Sequence, residues 1–424
     1  MNFVNSIEFA LQEDDQDKLR KFQSKFLFPE IGGKKAVYLC GNSLGLQPVT
    51  VKDAVLQELD DWAKLGVEGH MKARSPWLSY HEQFSEPVAR IVGALPNEIV
   101  VMNQLTVNLH LLMASFYRPS KERYKIICEA KAFPSDQYAL ESQVRFHGFN
   151  PEDAIIEVKP RDGEYLIRNE DIISSIEKAG DSLALVMIGG VNYYTGQVFD
   201  MEQITESAHK VGAYAGFDLA HATGNIKLNL HAWKVDFACW CSYKYLNSGP
   251  GGVSGVYIYE KHARNKNLTR FAGWWGHDKK TRFLMGKNFV PIESAEGWQL
   301  SNAPVLSMAA HKASISIFEE AGMDNLIQKS KKMTAYLEFI IEDINRKITN
   351  GGKLEIITPK DEKARGCQIS IVAHNRGKEL FNVISENGII ADWREPNVIR
   401  IAPVPLYNSF EDLWKFGQII SSCL

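Results

Sequence analysis

The stretch Asp236-Phe-Ala-Cys-Trp-Cys-Ser-Tyr-Lys244 decides the fold of this chain, because six apolar or small residues and a tyrosine lead to a charged amine. A second stretch of the same kind, Ala213-Tyr-Ala-Gly-Phe-Asp218, ends on a carboxylate. Short apolar runs of this length predict buried strands. Ligands of an open α/β sheet gather at the carboxyl ends of its strands. We therefore expect the Lys244 amine and the Asp218 carboxylate to face one crevice.

Around these two stretches, strand and helix patterns alternate. Strands are predicted over 99–102, 124–128, 154–158, 183–188, 213–217, 237–242 and 255–259. Helices are predicted over 107–116, 135–145, 171–179 and 201–211. Such alternation predicts an α/β fold with a mainly parallel sheet covered by helices on both faces. Asp218 and Lys244 would then lie across one strand–helix–strand crossover.

The pattern changes near residue 300. Long helices are predicted over 304–320 and 324–346, followed by short strands over 354–358, 367–372, 388–391 and 398–402 that are interleaved with two helices. We therefore expect an N-terminal segment (1–55), a large sheet domain (56–303) and a smaller C-terminal α+β domain (304–424). The N-terminal segment would hold a strand over 35–40 and the start of a helix over 49–64.

The composition excludes several classes of function. The chain has 424 residues, of which 45% are hydrophobic and 23% charged, as in globular proteins with ample core. A net charge of -3 does not favour binding to nucleic acid or to an anionic membrane. The start of the chain carries no basic and apolar leader, and no apolar run reaches the roughly 18 residues of a membrane helix. We expect a cytoplasmic protein.

The cysteines predict reduced thiols and no metal site. They are Cys40, Cys128, Cys239, Cys241, Cys367 and Cys423. Most lie in apolar stretches, and no Cys-x-x-Cys pair occurs. Cysteines of this kind pack as small hydrophobic side chains.

Three features together point to pyridoxal 5'-phosphate (PLP). A desolvated lysine such as Lys244 is a nucleophile that forms a Schiff base, and an aspartate such as Asp218 pairs with the pyridine nitrogen. Thr106 lies where a strand gives way to a helix, whose N-terminal amides favour a phosphate. Phe133, just past a strand, could stack on the ring. Taken singly, a solvated lysine, an N-capping threonine and a core phenylalanine are the alternatives.

A serine hydrolase is the sharpest rival. Gly41-Asn-Ser43-Leu-Gly45 matches G-x-S-x-G and follows a predicted strand. However, only one strand precedes it, and residues 44–48 delay the next helix. This order disfavours the sharp strand-to-helix turn that a nucleophilic serine requires.

Five sequence motifs resemble those of kynureninases. They are Tyr38-Leu-Cys-Gly-Asn-Ser-Leu-Gly-Leu-Gln-Pro48, Phe217-Asp-Leu-Ala-His-Ala222, Asp236-Phe-Ala-Cys-Trp-Cys-Ser-Tyr-Lys-Tyr-Leu-Asn247, Gly273-Trp-Trp-Gly-His277 and Arg400-Ile-Ala-Pro-Val-Pro-Leu-Tyr-Asn408. The resemblance runs from about residue 36 to the C-terminus. Kynureninases are fold-type-I PLP enzymes of the aspartate-aminotransferase superfamily that act as homodimers. They convert L-kynurenine to anthranilate and L-alanine, in tryptophan catabolism or NAD biosynthesis.

The resemblance implies a role for each matching residue. Lys244 would bind the cofactor and remove the substrate α-proton, and Asp218 would pair with the ring nitrogen. Further cofactor contacts are implied for Leu105 through its backbone, Thr106, Phe133, Asp136, His221, Tyr243, Trp274 and Asn302. Trp274 and Asn302 would reach across the dimer. At Gly189, where family members can carry serine, only a backbone contact is possible.

The resemblance also implies how the substrate binds. Arg400 would clamp the α-carboxylate, since a guanidinium binds a carboxylate through two hydrogen bonds. His70, Ser43 and Asn302 would face the aryl end. Tyr243 is the candidate acid and base at the γ-carbonyl oxygen. A hydrogen bond to the cofactor phosphate alone is the alternative for Tyr243.

Other functions remain open on the same scaffold. Cysteine desulfuration needs a cysteine on a mobile loop, and Cys367, at the edge of a predicted strand, is the one candidate. Transamination is a second alternative. A protein that only binds PLP is disfavoured, because no catalytic part is missing. Nothing in the sequence ranks kynurenine against 3-hydroxykynurenine.

Overall fold

A seven-stranded sheet forms the centre of the protein. The computed structural model describes residues 3–348, 353–374 and 376–423. The strands of the sheet are β1 (Ile99–Met102), β2 (Lys125–Glu129), β3 (Ile155–Val158), β4 (Leu183–Gly189), β5 (Tyr214–Asp218), β6 (Phe237–Trp240) and β7 (Ser254–Ile258). Their order is β1-β7-β6-β5-β4-β2-β3. Because β7 alone runs antiparallel to its neighbours, the predicted mainly parallel sheet is confirmed.

Helices surround this sheet and continue to the C-terminus. The α-helices are α1 (Ile7–Asp15), α2 (Val51–Leu65), α3 (Gly69–Lys72), α4 (Ser85–Val92), α5 (Leu105–Phe116), α6 (Pro134–Phe146), α7 (Pro151–Ala154), α8 (Asn169–Ala179), α9 (Met201–Lys210), α10 (Glu260–Ala263), α11 (Val305–Ala321), α12 (Met323–Lys347), α13 (Gly377–Glu386) and α14 (Phe410–Cys423). Short 3₁₀ helices lie at Arg20–Lys25, Gly66–Glu68, Trp77–Phe84, Pro96–Glu98, Gly180–Ser182, Trp274–Gly276, Arg282–Leu284 and Ala295–Trp298. No helix of the described residues is both long and apolar enough to cross a membrane.

Both faces of the sheet are buried. Along β4, Leu185 and Met187 join the core beneath α5 and α6, whereas Val186 and Ile188 join the core beneath α4, α8, α9 and α11. Successive side chains of a strand point to opposite faces, so a strand covered on both sides reads as a continuous apolar run. Each such side chain stabilises the fold by about 1.5–3 kcal/mol when it is fully buried.

A second, antiparallel sheet lies in the C-terminal part. Its strands are β8 (Lys353–Ile356), β9 (Ile369–His374), β10 (Asp392–Arg394) and β11 (Val398–Ile401), in the order β8-β9-β11-β10. Its core is shared with α1, α12, α13 and α14. The strand predicted over 388–391 is placed differently, because Ile389–Ile390 pairs with Val37–Tyr38 and β10 takes the edge of the four-stranded sheet.

The N-terminal residues pack against this smaller sheet and its helices. Asp14, at the end of α1, accepts hydrogen bonds from the backbone N–H groups of Phe410, at 2.7 Å, and Glu411, at 3.0 Å. A carboxylate in this position satisfies free amides at the start of α14 and complements the helix dipole. Other short strands pair Phe26–Leu27 with Gln47–Pro48 and Glu30–Ile31 with Lys34–Lys35.

Two local predictions near Lys244 are wrong. The connection between β5 and β6 contains turns and no helix. Its backbone is held instead by Leu230 and His231, whose N–H groups donate to the carbonyls of Val92 and Gly93 at the end of α4. The strand predicted over 237–242 ends at Trp240, since the pairing of β5 with β6 stops where Asp218 meets Cys239. Lys244 therefore lies on a bend four residues beyond β6.

Candidate active site

A cavity of about 200 Å³ opens at the carboxyl ends of β2, β4, β5 and β6. It is lined by Gln104, Leu105, Thr106, Val107, Glu129, Phe133, Ser135, Asp136, Gly189, Val191, Tyr193, Asp218, Ala220, His221, Cys241, Tyr243 and Lys244. The expectation that Asp218 and Lys244 face one crevice is confirmed. Parallel strands bring their carboxyl ends to one edge of the sheet, which is why residues distant in sequence meet here.

The amine of Lys244 contacts a neutral histidine. Its Nζ atom lies 2.9 Å from Nε2 of His221 and 5.6 Å from the centroid of the Phe133 ring. Burial lowers the pKa of His221 well below its usual value, and the positive charges of Lys244 and Arg400 lower it further. A neutral His221 accepts a hydrogen bond from the amine through Nε2, which leaves the proton on Nδ1. That buried Nδ1 atom has no hydrogen-bond partner in the described structure.

Asp218 and Asp136 form a buried pair of carboxyls. Asp218 accepts a hydrogen bond of 2.7 Å from the backbone N–H of Ala220. Burial raises the pKa of Asp136 well above its usual value, and the negative charge of Asp218 raises it further. Asp136 therefore keeps a proton in the presence of an ionised Asp218. One oxygen of Asp136 is buried without a partner among the described residues.

The N-terminus of α5 borders the other side of the cavity. The helix is capped by Gln104, whose side chain makes no capping hydrogen bond. Its first amides, including those of Leu105 and Thr106, point out of the helix and suit an anion. The hydroxyl of Thr106 lies 2.7 Å from that of Ser135. Since Thr106 is the second helical residue, the alternative of an N-capping threonine does not apply.

These residues fit PLP. The cavity combines an amine for a Schiff base, a carboxylate for the ring nitrogen and helix amides for the phosphate. Phe133 offers an aromatic face beside Lys244. The unpartnered atoms of His221 and Asp136 are further buried polar groups that a bound ligand would satisfy.

Arg400 does not line the cavity itself but contacts a residue that does. Its guanidinium donates one hydrogen bond of 2.6 Å to the carbonyl of Tyr193, which lines the cavity, and another of 2.6 Å to the carboxylate of Asp392. Asp392 faces Arg400 directly across the β10–β11 pair and also accepts from Arg394. Arg400 is 1% exposed and its Nε atom has no partner among the described residues. The single carboxylate of Asp392 thus lies between the guanidinium groups of Arg394 and Arg400. These three side chains together therefore carry a net positive charge.

Comparison with known proteins places the chain in a family. Residues 326–420 match the model of the kynureninase C-terminal domain. The chain is 58% identical over 420 residues to the kynureninase of Flavobacterium psychrophilum, an alignment that covers 99% of this chain and 98% of that protein. It is 53% identical to the kynureninase of Myxococcus xanthus, over 99% of this chain and 97% of that protein. The chain belongs to the kynureninase family. The predictions of an enzyme, of kynureninase activity and of PLP as cofactor are confirmed.

Solved structures similar to this member of the kynureninase family show the same fold. A cysteine desulfurase from Thermococcus onnurineus NA1 is 17% identical with a TM-score of 0.73, covering 92% of this chain and 94% of that one. A C-DES variant with glycine covalently linked to its PLP cofactor is 13% identical with a TM-score of 0.74, covering 91% and 96%. At these identities the likeness concerns the fold, and it confirms the fold-type-I prediction.

Five of the residues implied by the kynureninase resemblance are not among the residues that line the cavity of this chain. They are Arg400, described above, and His70, Ser43, Trp274 and Asn302. His70 donates a hydrogen bond of 3.0 Å from Nδ1 to the carbonyl of Val67, and Ser43 lies in a turn. Trp274 is 46% exposed and donates to the carbonyl of Arg282. Asn302 is exposed just before α11.

The G-x-S-x-G motif has a packing role. A Cβ at Gly45 would overlap the carbonyl oxygen of Lys244, and one at Gly41 would overlap the hydroxyl of Tyr407. The N–H of Gly45 also donates a hydrogen bond of 2.8 Å to the carbonyl of Tyr243. The motif is followed by a short strand and not directly by a helix. Gly45 therefore allows close approach to the Lys244 bend, and Gly41 allows close approach to Tyr407. Because the chain is a member of the kynureninase family, the serine-hydrolase alternative is wrong.

The desulfurase alternative lacks its sulfur acceptor among the described residues. Cys367 is fully buried, and its backbone N–H donates to the side chain of Asn225. Burial raises the pKa of its thiol to about 12, so it is protonated and unreactive at neutral pH. The other thiols are buried as well, apart from the half-buried Cys423 near the C-terminus.

Several lining residues were not predicted. They are Gln104, Val107, Glu129, Ser135, Val191, Tyr193, Ala220 and Cys241. Glu129 could have been found, because it is a charged residue at the end of an apolar strand, as Asp218 is. Tyr193 carries no comparable signal, since it follows a strand by several residues and reaches the cavity through a loop.

We expect Asp392→Asn to raise KM for kynurenine about tenfold with a smaller change in kcat, because Arg400 loses the carboxylate that orients it. Steady-state kinetics monitored by product fluorescence would measure both constants. Asp324→Asn, at an exposed aspartate, is the matched control. An unchanged KM in a folded Asp392→Asn enzyme would contradict a role for this pair in binding the substrate.

Proposed function

We propose that this member of the family hydrolyses the Cβ–Cγ bond of L-kynurenine, of 3-hydroxykynurenine or of both. The products are L-alanine together with anthranilate or 3-hydroxyanthranilate, respectively. The observation that carries the proposal is the meeting of Lys244, Asp218 and the α5 N-terminus in one cavity. Such an enzyme serves tryptophan catabolism and NAD biosynthesis. A cytoplasmic location is supported by six free cysteines, of which five are buried.

Lys244 and Asp218 are assigned to the bond-breaking chemistry at the substrate α-carbon. Bound PLP supplies an electron sink for the electrons released there. The Asp218 carboxylate would pair with the ring nitrogen and keep it protonated. The Lys244 amine would take the α-proton and return it, and His221 orients this amine through the hydrogen bond of 2.9 Å. Phe133 would stack on the ring.

Tyr243 is assigned to the substrate γ-carbonyl. Its side chain lines the cavity next to Lys244. Burial raises the pKa of its hydroxyl, and the neighbouring Cys241 thiol raises it further. The hydroxyl therefore keeps its proton throughout the neutral range and can donate it to the γ-oxygen. A water molecule must then add at the same carbon to complete the hydrolysis.

The substrate-binding groups are assigned to two subunits. Arg400 clamps the α-carboxylate, and His70, Ser43 and Asn302 recognise the aryl ring. An apolar surface on the segment that contains Trp274 favours a homodimer: Phe271, Phe283, Leu284 and Met285 are 57%, 55%, 75% and 71% exposed. In that dimer Trp274 and Asn302 of the partner subunit complete the cavity.

We also propose that the chain divides as its sequence pattern suggests, into residues 1–55, 56–303 and 304–424. The contacts of α1 with α14 and the pairing of Val37–Tyr38 with Ile389–Ile390 favour an N-terminal segment that moves with the smaller domain. Beside the cavity, residues 56–303 and 304–424 would be linked by hydrogen bonds to the carbonyls of Tyr193, Tyr194 and Thr195.

Lys244→Ala is expected to abolish steady-state release of anthranilate, since no other amine lines the cavity as described. Anthranilate fluorescence from kynurenine, and that of 3-hydroxyanthranilate from the hydroxylated substrate, would measure the activity. Lys210→Ala, at an exposed lysine of α9, should remain active. Borohydride treatment of the wild-type holoenzyme should leave a pyridoxyl group on the Lys244 peptide. Steady turnover by Lys244→Ala would overturn the assignment.

For Tyr243→Phe we expect kcat to fall by ~10²- to 10⁴-fold while the affinity for PLP stays unchanged, because general acid catalysis is removed and the ring remains. Titration of the apoprotein with PLP and single-turnover kinetics would separate the two effects. A loss of PLP affinity with little loss of chemistry would instead show that the hydroxyl serves the cofactor phosphate.

Mixing two inactive variants tests the shared site. Lys244→Ala and Asn302→Ala subunits should together recover up to about one quarter of wild-type activity, because half the dimers are mixed and each has one intact site. A mixture of Lys244→Ala with Tyr243→Phe is the matched control, since both residues necessarily belong to one subunit. Recovery in neither mixture, with subunit exchange verified by mass, would contradict a site built from two chains.

A further inference from the structure

Glu129 is a buried carboxyl of the cavity that the proposed reaction leaves without a role. It is the last residue of β2, it is 5% exposed, and it lines the cavity with Gly189 and Asp218. The backbone N–H of Gly189 donates to both its oxygens, at 3.2 and 3.3 Å. Within the described residues no lysine or arginine pairs with it. A buried carboxylate without a cation is unfavourable, so the protonated form is preferred.

The neighbouring charges favour the same form. Asp218 faces Glu129 from the end of β5, Asp136 from the start of α6, and Cys128 precedes it on β2. Burial raises the pKa of Glu129 to about 7, and the negative charge of Asp218 adds to this effect. Lys244 is the one lysine or arginine among the lining residues. Three carboxyls around one amine disfavour full ionisation, so the protonated form of Glu129 is more accessible than that of an exposed glutamate.

Gly189 leaves the space that this carboxyl occupies. A Cβ at position 189 would lie 3.0 Å from Oε1 of Glu129, closer than ordinary packing allows. The backbone conformation at position 189 does not require glycine, because its φ angle is not positive. Its pairing partner across the sheet is Asp218, so the space lies beside the ring-nitrogen carboxylate. A side chain at position 189 would therefore press on the carboxyl of Glu129 and shift it.

We propose that Glu129 is a further cofactor-binding residue, whose protonated carboxyl, seated in the space that Gly189 leaves, donates a hydrogen bond to bound PLP. The proposal rests on the cofactor site assigned to Lys244 and Asp218. Gly189 orients the carboxyl through its N–H group. The carboxyl then adds a neutral donor to a site that already holds an ionised carboxylate.

Titration of the apoprotein with PLP, followed by its absorbance, tests this contact. Glu129→Ala should weaken PLP binding by ~3- to 10-fold, the effect of losing one neutral hydrogen bond. Glu129→Gln should bind PLP almost as the wild type does, because the amide also donates. Glu157→Gln, at an exposed glutamate of β3, is the matched control. Thermal unfolding of each apoprotein separates loss of the contact from loss of the fold.

A double-mutant cycle tests the role of the glycine. Gly189→Ser alone should weaken PLP binding, because the added atoms displace the carboxyl. In the Glu129→Ala background the same change should cost less or restore affinity, since the serine fills the vacated space. Wild-type affinity in Glu129→Ala, or equal effects of Gly189→Ser in both backgrounds, would overturn the proposal. Failure of borohydride to label Lys244 in the wild type would instead overturn the cofactor site itself.

Discussion

Lys244 provides the single amine among the residues that line the cavity, together with the carboxyls of Glu129, Asp136 and Asp218. The balance of charge among these four groups constrains the rest of the site. Burial penalises each charge, so the carboxyls cannot all ionise opposite one cation. The pKa of each of them is accordingly raised, mainly by burial. The cavity thus favours protonation of part of this carboxyl group set. A cofactor that carries both a protonatable ring nitrogen and a phosphate matches this arrangement.

Backbone groups connect the cavity to Arg400 and the smaller sheet. The carbonyl of Tyr193 accepts hydrogen bonds from Arg400, at 2.6 Å, and from Gln368, at 3.1 Å. The next two carbonyls accept from Ser370 and Thr358, each at 2.6 Å. Three successive carbonyls after β4 therefore hold the smaller sheet against the cavity. Because Tyr193 also packs edge-on against Phe133, at 5.3 Å, a shift of Arg400 would reach an aromatic ring that lines the cavity.

Much of the fold follows from local pattern. The continuous apolar run of β4 is typical of a strand that is covered on both faces. The observed strand agrees with the predicted range to within one residue. The turns between β5 and β6 could not be predicted in this way, because their backbone bonds go to residues at the end of α4. Ile389–Ile390 was assigned to the right kind of element but to the wrong sheet, since pairing partners depend on distant residues.

The sequence by itself determined the sheet, the positions of Asp218 and Lys244 at its edge, and through its long motifs the kynureninase family. Such features depend on hydrophobic period and on residue identity, which are local. Only the tertiary structure decided that Gly41 and Gly45 serve packing, that Asp392 holds Arg400, and that Glu129 joins the cavity. Close approach, burial and charge balance are properties of residues brought together from distant parts of the chain, and no local pattern contains them.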